Sequence, residues 1–217
     1  FSDMNIEDHY RFWFSKKYRN EYSPASVGFI DIEVDVIDIM GDFPEPGEAP
    51  VSVITYIFNG VIHTYIYREP KNPLIKEFEE KWNSGELSQE LQDLIIYGVG
   101  GEDNAKKFKV DNLTPRIKFF DEEIELIGAV FEDINREQPD FLLAWNMAFD
   151  IPYLIERIKN LGYDPKDIIC HPDFKHKQCF YYVDERSKDS FAERGDYANI
   201  SAYTVYLDQM ITFASRR

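Results

Sequence analysis

The sequence predicts a mixed α/β protein in which helices lie on the faces of a sheet, and three observations carry that reading. Two β-branched and aromatic runs, Val51–Phe58 and Val61–Tyr67, flank Asn59-Gly60. That pair is the strongest short-range hairpin signal, because both central residues of the tight turn need positive φ. An alternating, β-rich run, VGFIDIEV at Val27–Val34, precedes the hairpin and reads as a neighbouring strand. After it come a helix-period stretch, a short apolar run and a second helix-period stretch. That is the strand–helix order of an α/β sheet.

In chain order, residues 1–24 are aromatic, mixed in charge and without a clear period, and read as a lead-in from a preceding domain. Residues 35–50 are acidic and hold Gly41, Pro44, Pro46, Gly47 and Pro50, which mark a loop. Short helices are expected at 74–82 and 87–95. The Gly-rich, then basic, stretch 98–118 gives no assignment. Asp121 can cap a helix over 121–137 whose Ile124, Ile127, Val130, Phe131 and Ile134 share one face. Pro139 ends it. Residues 141–145 are apolar throughout and read as a buried strand. A helix over 150–161 is closed by Gly162 as a left-handed cap. Residues 179–183 and 198–206 are strand-like and flank a charged stretch, so a long hairpin is expected with a mobile tip near 186–195, a segment with little to bury. Neither an internal repeat nor a low-complexity segment is present.

The chain has 217 residues, 44% hydrophobic and 16% aromatic, enough to bury a core. No apolar run approaches the roughly 18 residues of a membrane span, and no signal-peptide pattern opens the chain. Two cysteines, Cys170 and Cys179, are too few for a disulfide framework and suit packed thiols in a reducing cytoplasm. The net charge is −16, from 24 basic and 40 acidic residues, which argues against a broad basic surface for duplex DNA. Residues 31–60 carry Asp31, Glu33, Asp35, Asp38, Asp42, Glu45 and Glu48 with no Lys or Arg. An acidic chain can still act on nucleic acid where bound divalent cations neutralise the site.

The chemistry is in the carboxylates. Asp31 and Glu33 stand two apart on the first strand and therefore share one face. Paired carboxylates repel unless a cation lies between them, and hard oxygen ligands favour magnesium or manganese over zinc. The alternative is an edge strand with a solvated acidic face. A second constellation, LAWNMAFDIPYL at 143–154, puts Asn146 and Asp150 where a buried strand hands over to a helix, the end of the strand at which open α/β sheets build sites. Asp150 can equally be a helix N-cap. His9, His63, His171 and His176 show no metal-ligand spacing.

Together FIDIEV and WNMAFDIPYL resemble the first and second exonuclease motifs of family B DNA polymerases. GDFPEPGEAPVSVITY and NISAYTVYLDQMITFASRR are similar to segments of the T-even-type bacteriophage enzymes, so the likeness spans roughly residues 27–217. It implies a ribonuclease H-like fold: a mixed five-stranded sheet with helices on both faces, plus a protruding β-hairpin. It divides the chain into the lead-in 1–24 and an exonuclease domain, 25–217, that stops before the third motif, so that this piece alone is expected to be a weak or inactive nuclease. It further implies 3′–5′ proofreading, the hydrolysis of the 3′-terminal nucleotide of single-stranded DNA with two Mg2+ or Mn2+ ions. Asp31, Glu33 and Asp150 are then catalytic metal ligands, while Asn146 and Phe149 position the nucleotide or serve local packing. The implied partners are a single-stranded 3′ end, primer-template DNA, nucleotide and a polymerase domain of the same parent chain, in the cytoplasm of a host cell. Two departures from the pattern stand out. Two residues separate Asn146 from Phe149, one fewer than in the phage version. The third motif, Tyr-x-x-x-Asp, has only Asp208 as a late candidate, with Thr204 in the Tyr position, and Asp208 is expected to face the base of the hairpin. A free-standing nuclease and a non-catalytic docking piece that guides a primer strand remain open readings.

Overall fold

The structure, a computed structural model, describes residues 6–18, 24–36, 44–184 and 195–214. The lead-in contains a helix that the sequence pattern does not announce, α1 (Ile6–Lys17). It leaves Phe12, Trp13 and Phe14 exposed, so among its described side chains no buried face imposes a period on the sequence. Next come β1 (Val27–Val34), β2 (Val51–Phe58) and β3 (Val61–Tyr67), paired antiparallel in that order. The turn between β2 and β3 has φ of 48° at Asn59 and 77° at Gly60, the geometry that Asn-Gly tolerates.

Three helices follow, α2 (Leu74–Asn83), α3 (Leu87–Gly98) and α4 (Glu102–Phe108), then β4 (Thr114–Phe120). β4 pairs in parallel with β3 and lies at the sheet edge. It hides in sequence because Pro115, Arg116 and Lys118 break the β signal. At an edge the proline is tolerated, and Lys118 reaches Asp133 at 2.7 Å.

Helix α5 (Glu123–Glu137) begins one residue later than a cap at Asp121 requires, with Glu122 in the cap position. Asp121 instead pairs with Arg68 at 3.0 Å. Gln138 closes the helix in the left-handed region, ahead of Pro139. β5 (Phe141–Ala144) pairs in parallel with β1. Ser26 fastens this pairing: its N and Oγ donate to Asp140 Oδ2 at 2.7 and 2.8 Å, and Asp140 N donates to Ser26 Oγ at 2.9 Å. Helix α6 (Met147–Asn160) follows, with Gly162 beyond it at φ 89°, then α7 (Pro165–Ile169).

The expected long hairpin resolves into two parts. β6 (Cys179–Tyr182) and β7 (Tyr197–Ile200) form a separate antiparallel ribbon, while β8 (Val205–Asp208) joins the main sheet beside β5, in parallel. The expected tip near 186–195 falls outside the described residues except for Gly195. Helix α8 (Gln209–Ala214) follows β8.

The main sheet thus runs β4-β3-β2-β1-β5-β8, six strands where five were expected. The mixed, ribonuclease H-like character holds; β4 and β8 are the edge strands, and neither stood out in the sequence as a member of this sheet. Alternation sorts the side chains. Ile30, Ile32, Ile54, Tyr56 and Tyr65 are buried with Leu126, Ile127, Val130 and Ile134 of α5 and with Ile151, Leu154 and Ile158 of α6 in one core. On the opposite face Phe119 of β4 meets Phe78 of α2, ring centroids 6.2 Å apart. Helices therefore occupy both faces.

Candidate active site at the strand ends

β1, β5 and β8 run parallel and adjacent, so their carboxyl ends open on the same side. In the β1–β5 register Phe29 lies opposite Leu143, which puts Asp31 level with the residue that follows the end of β5. Asp31 and Glu33 are exposed, on the face away from the buried Ile30 and Ile32. Thr55 and Val53 of β2 sit opposite them. Asp208 closes β8, in register with Ala144 of β5.

Asp150 lies in the first turn of α6, not at its cap. The N-cap is Asn146, whose carbonyl accepts from Phe149 N at 2.9 Å and Asp150 N at 3.2 Å, with no capping bond from its side chain. The Asp150 carboxyl is buried, 4% exposed. No described group donates a hydrogen bond or a cation to it. Burial pushes its pKa from 3.8 up to about 7, and the carboxylates of Asp31, Asp208 and Glu33 each push in the same direction. Partial burial also raises Asp31. An unpaired buried carboxylate is unfavourable by several kcal/mol unless protonated or met by a cation.

Three of the five sequence-predicted site residues, Asp31, Glu33 and Asp150, are thus brought within electrostatic reach of one another. They are not drawn to ligand spacing: among the described residues, no three His, Cys, Asp or Glu side chains form a ready metal-binding group. Four like charges around one opening repel, and the donor set, all carboxylate, suits a hard divalent cation. Asn146 is exposed beside this opening. Phe149 is half-buried against the core, its ring 5.2 Å from Tyr153, so packing accounts for at least part of its role.

Asp208 is the late candidate ligand that the sequence offers but expects to face the hairpin base. It does line a small cavity of about 110 Å³ with Tyr181, Tyr197 and Ala198, and its Oδ1 accepts from Ile211 N at 2.9 Å. Its charge nevertheless acts on Asp150. The signal was present in Val205–Asp208, a strand closed by an Asp before a helix, the same pattern that marks Asp150. Removing this charge is expected to bring the Asp150 pKa down from about 7. Carboxyl-carbon NMR titration of Asp208→Asn checks this; an unchanged midpoint would place Asp208 outside the site.

Sequence comparison matches residues 2–194 to the family described as DNA polymerase family B, exonuclease domain. The DNA-directed DNA polymerase of Escherichia phage RB69 is 28% identical over 147 residues, which cover 66% of this chain and 15% of that protein. With the two carboxylates of β1 and the buried Asp150 in electrostatic reach of one another at the strand ends of a mixed sheet, and the family match spanning nearly the whole chain, this chain belongs to the exonuclease domain of the family B DNA polymerases.

Proposed function

We propose that this domain removes the 3′-terminal nucleotide from single-stranded DNA, as the proofreading part of a longer DNA polymerase. The observation that carries the reading is Asp150: a buried carboxylate without a partner among the described residues, facing three other acids at the mouth of three parallel strands. Such an arrangement is unfavourable for folding and suited to holding cations. Two Mg2+ or Mn2+ ions would supply activation of the attacking water and stabilisation of the leaving 3′ oxygen. Asp31 would hold both, Glu33 would hold one and orient the water, and Asp150 would hold the other. Asn146, exposed where β5 ends, and the half-buried Phe149 position the terminal nucleotide against them.

The same acids explain why substrate and cation belong together. A chain of net charge −16 repels a polyanion until the strand-end carboxylates are neutralised. The partners proposed are the single-stranded 3′ end, primer-template DNA, the released nucleotide and a polymerase domain of the same parent chain, working in the cytoplasm of a host cell. Among the described residues, no helix is long and apolar enough to cross a membrane.

The test is manganese-dependent release of nucleotides from a 5′-labelled single strand. Asp31→Asn and Glu33→Gln are each expected to slow release by on the order of 100-fold or more, since misplacing reacting groups by about 1 Å is enough for that loss. Release at the wild-type rate by both variants would exclude this site as the catalytic one. If a longer piece of the parent chain binds single-stranded DNA but cleaves none, the domain guides the primer strand instead.

A further inference from the structure

Away from the strand ends, the foot of the β6–β7 ribbon brings the two cysteines together. Cys170 follows α7 and Cys179 opens β6. Backbone bonds through Ser201 hold the two segments in place: His171 N donates to Ser201 O at 2.9 Å, Ser201 N donates to Gln178 O at 2.9 Å, and Gln178 N donates to Ser201 Oγ at 2.8 Å. Within this frame Cys170 Sγ donates to the carbonyl of Gln178, the residue before Cys179, at 3.2 Å, and the two thiols act on each other's titration. Both are free thiols.

A metal does not explain the pair. His171 and His176 stand nearby in sequence, but the His171 ring nitrogens are engaged by Gln138 Nε2 and Asp173 N, both at 3.2 Å. No described trio of His, Cys, Asp or Glu is arranged to hold an ion.

We propose that Cys170 and Cys179 are a modification site, a dithiol that forms a reversible intramolecular disulfide with a low-molecular-weight disulfide as the oxidant, fastening the end of α7 to the first strand of the ribbon. The neighbouring Cys179 thiol pulls the Cys170 thiol down to about 7, and Cys170 in turn pushes Cys179 up. The pair therefore loses one proton near neutrality and shares the other, so a thiolate is at hand. Cys170, which carries the thiolate, attacks the small disulfide; a mixed disulfide forms on Cys170 and one small thiolate leaves. The Cys179 sulfur then attacks Cys170 Sγ, its proton passing to the second small thiolate as that leaves. The two protein thiols lose two electrons and two protons, and the small disulfide is reduced to two thiols. Cys170 also borders a surface cleft of about 370 Å³ that includes Asn135, Arg136 and His171.

The experiment treats the whole chain with oxidised glutathione under native conditions and reads intact mass. Expected is a loss of two hydrogens with no retained glutathione. Trypsin, which cuts after Lys175 and Lys177, then releases the two cysteine peptides as one linked species, and dithiothreitol reverses the change. Cys170→Ser and Cys179→Ser, each alone, are expected to abolish the internal link. Two stable glutathione adducts, disulfide-linked dimers, or an unchanged mass would each overturn the proposal.

Discussion

At pH 8 the Asp150→Asn chain is expected to be more stable than the wild type by on the order of 4 kcal/mol, and at pH 4 the two are expected to match. The lift of Asp150 from 3.8 to about 7 measures the penalty on its ionised form, at about 1.4 kcal/mol for each pKa unit. The folded chain keeps a proton that the unfolded chain releases, so stability is full below about pH 4 and is lost as pH rises through about 7. Asparagine has the same shape without the charge, and the penalty vanishes. For a chain of 217 residues this corresponds to a rise in Tm of roughly 10 °C, read by thermal unfolding at both pH values. Added Mn2+ should stabilise the wild type at pH 8 and do much less for the variant, because a ligand bound only by the folded state adds about 2.7 kcal/mol at 100 times its Kd. A variant no more stable than the wild type at pH 8 would mean that Asp150 carries no uncompensated charge.

Arg157→Met is expected to destabilise the chain by about 3–5 kcal/mol, the usual consequence of leaving one partner of a buried pair alone. Glu123 is 5% exposed. It accepts from Arg157 Nε at 2.8 Å and from its second guanidinium nitrogen at 2.7 Å, and from Val51 N at 2.8 Å. Arg157 also donates to Gly47 O at 3.2 Å, and Tyr153 Oη bridges Ala49 N and O at 2.8 and 2.9 Å. The described end of the acidic loop after β1 is thereby laced to α5 and α6. The urea midpoint should fall accordingly, and Glu123→Gln combined with Arg157→Met should recover part of the loss. A double variant worse than the sum of the two singles would contradict an unpaired Glu123 as the cause.

These two sites differ in how far sequence alone exposes them. Asp31 and Glu33 are legible because strand periodicity fixes a shared face whatever the rest of the fold does. The β2–β3 hairpin is legible because Asn59-Gly60 encodes its own turn. Asp150 is legible as to place but not as to role: its burial, which separates a first-turn carboxylate from a cap, depends on what α6 packs against. β4 is hidden because Lys118 finds its partner, Asp133, only in three dimensions. α1 is hidden because nothing described buries its aromatic residues, so no face was selected. The ribbon and β8 merge in sequence into one strand-like run, and only the bonds of Ser201 separate them. Asp208 is a candidate whose orientation the sequence turns toward the hairpin base, for the same reason. Its approach to Asp150 comes from parallel pairing of β8 with β5, a long-range choice that local pattern does not encode.

The clasp of Ser26 on Asp140 joins positions 114 residues apart. It stands at the root of the β1–β5 pairing that carries Asp31 and Glu33 toward Asp150. Closing a loop of that length pays its entropy before any contact rewards it. No contiguous fragment lacking either end of residues 31–150 holds both halves of the acidic mouth, and no folding intermediate built from local contacts holds it either. The unfavourable crowding of carboxylates is thereby postponed until the surrounding core is already in place to bear it.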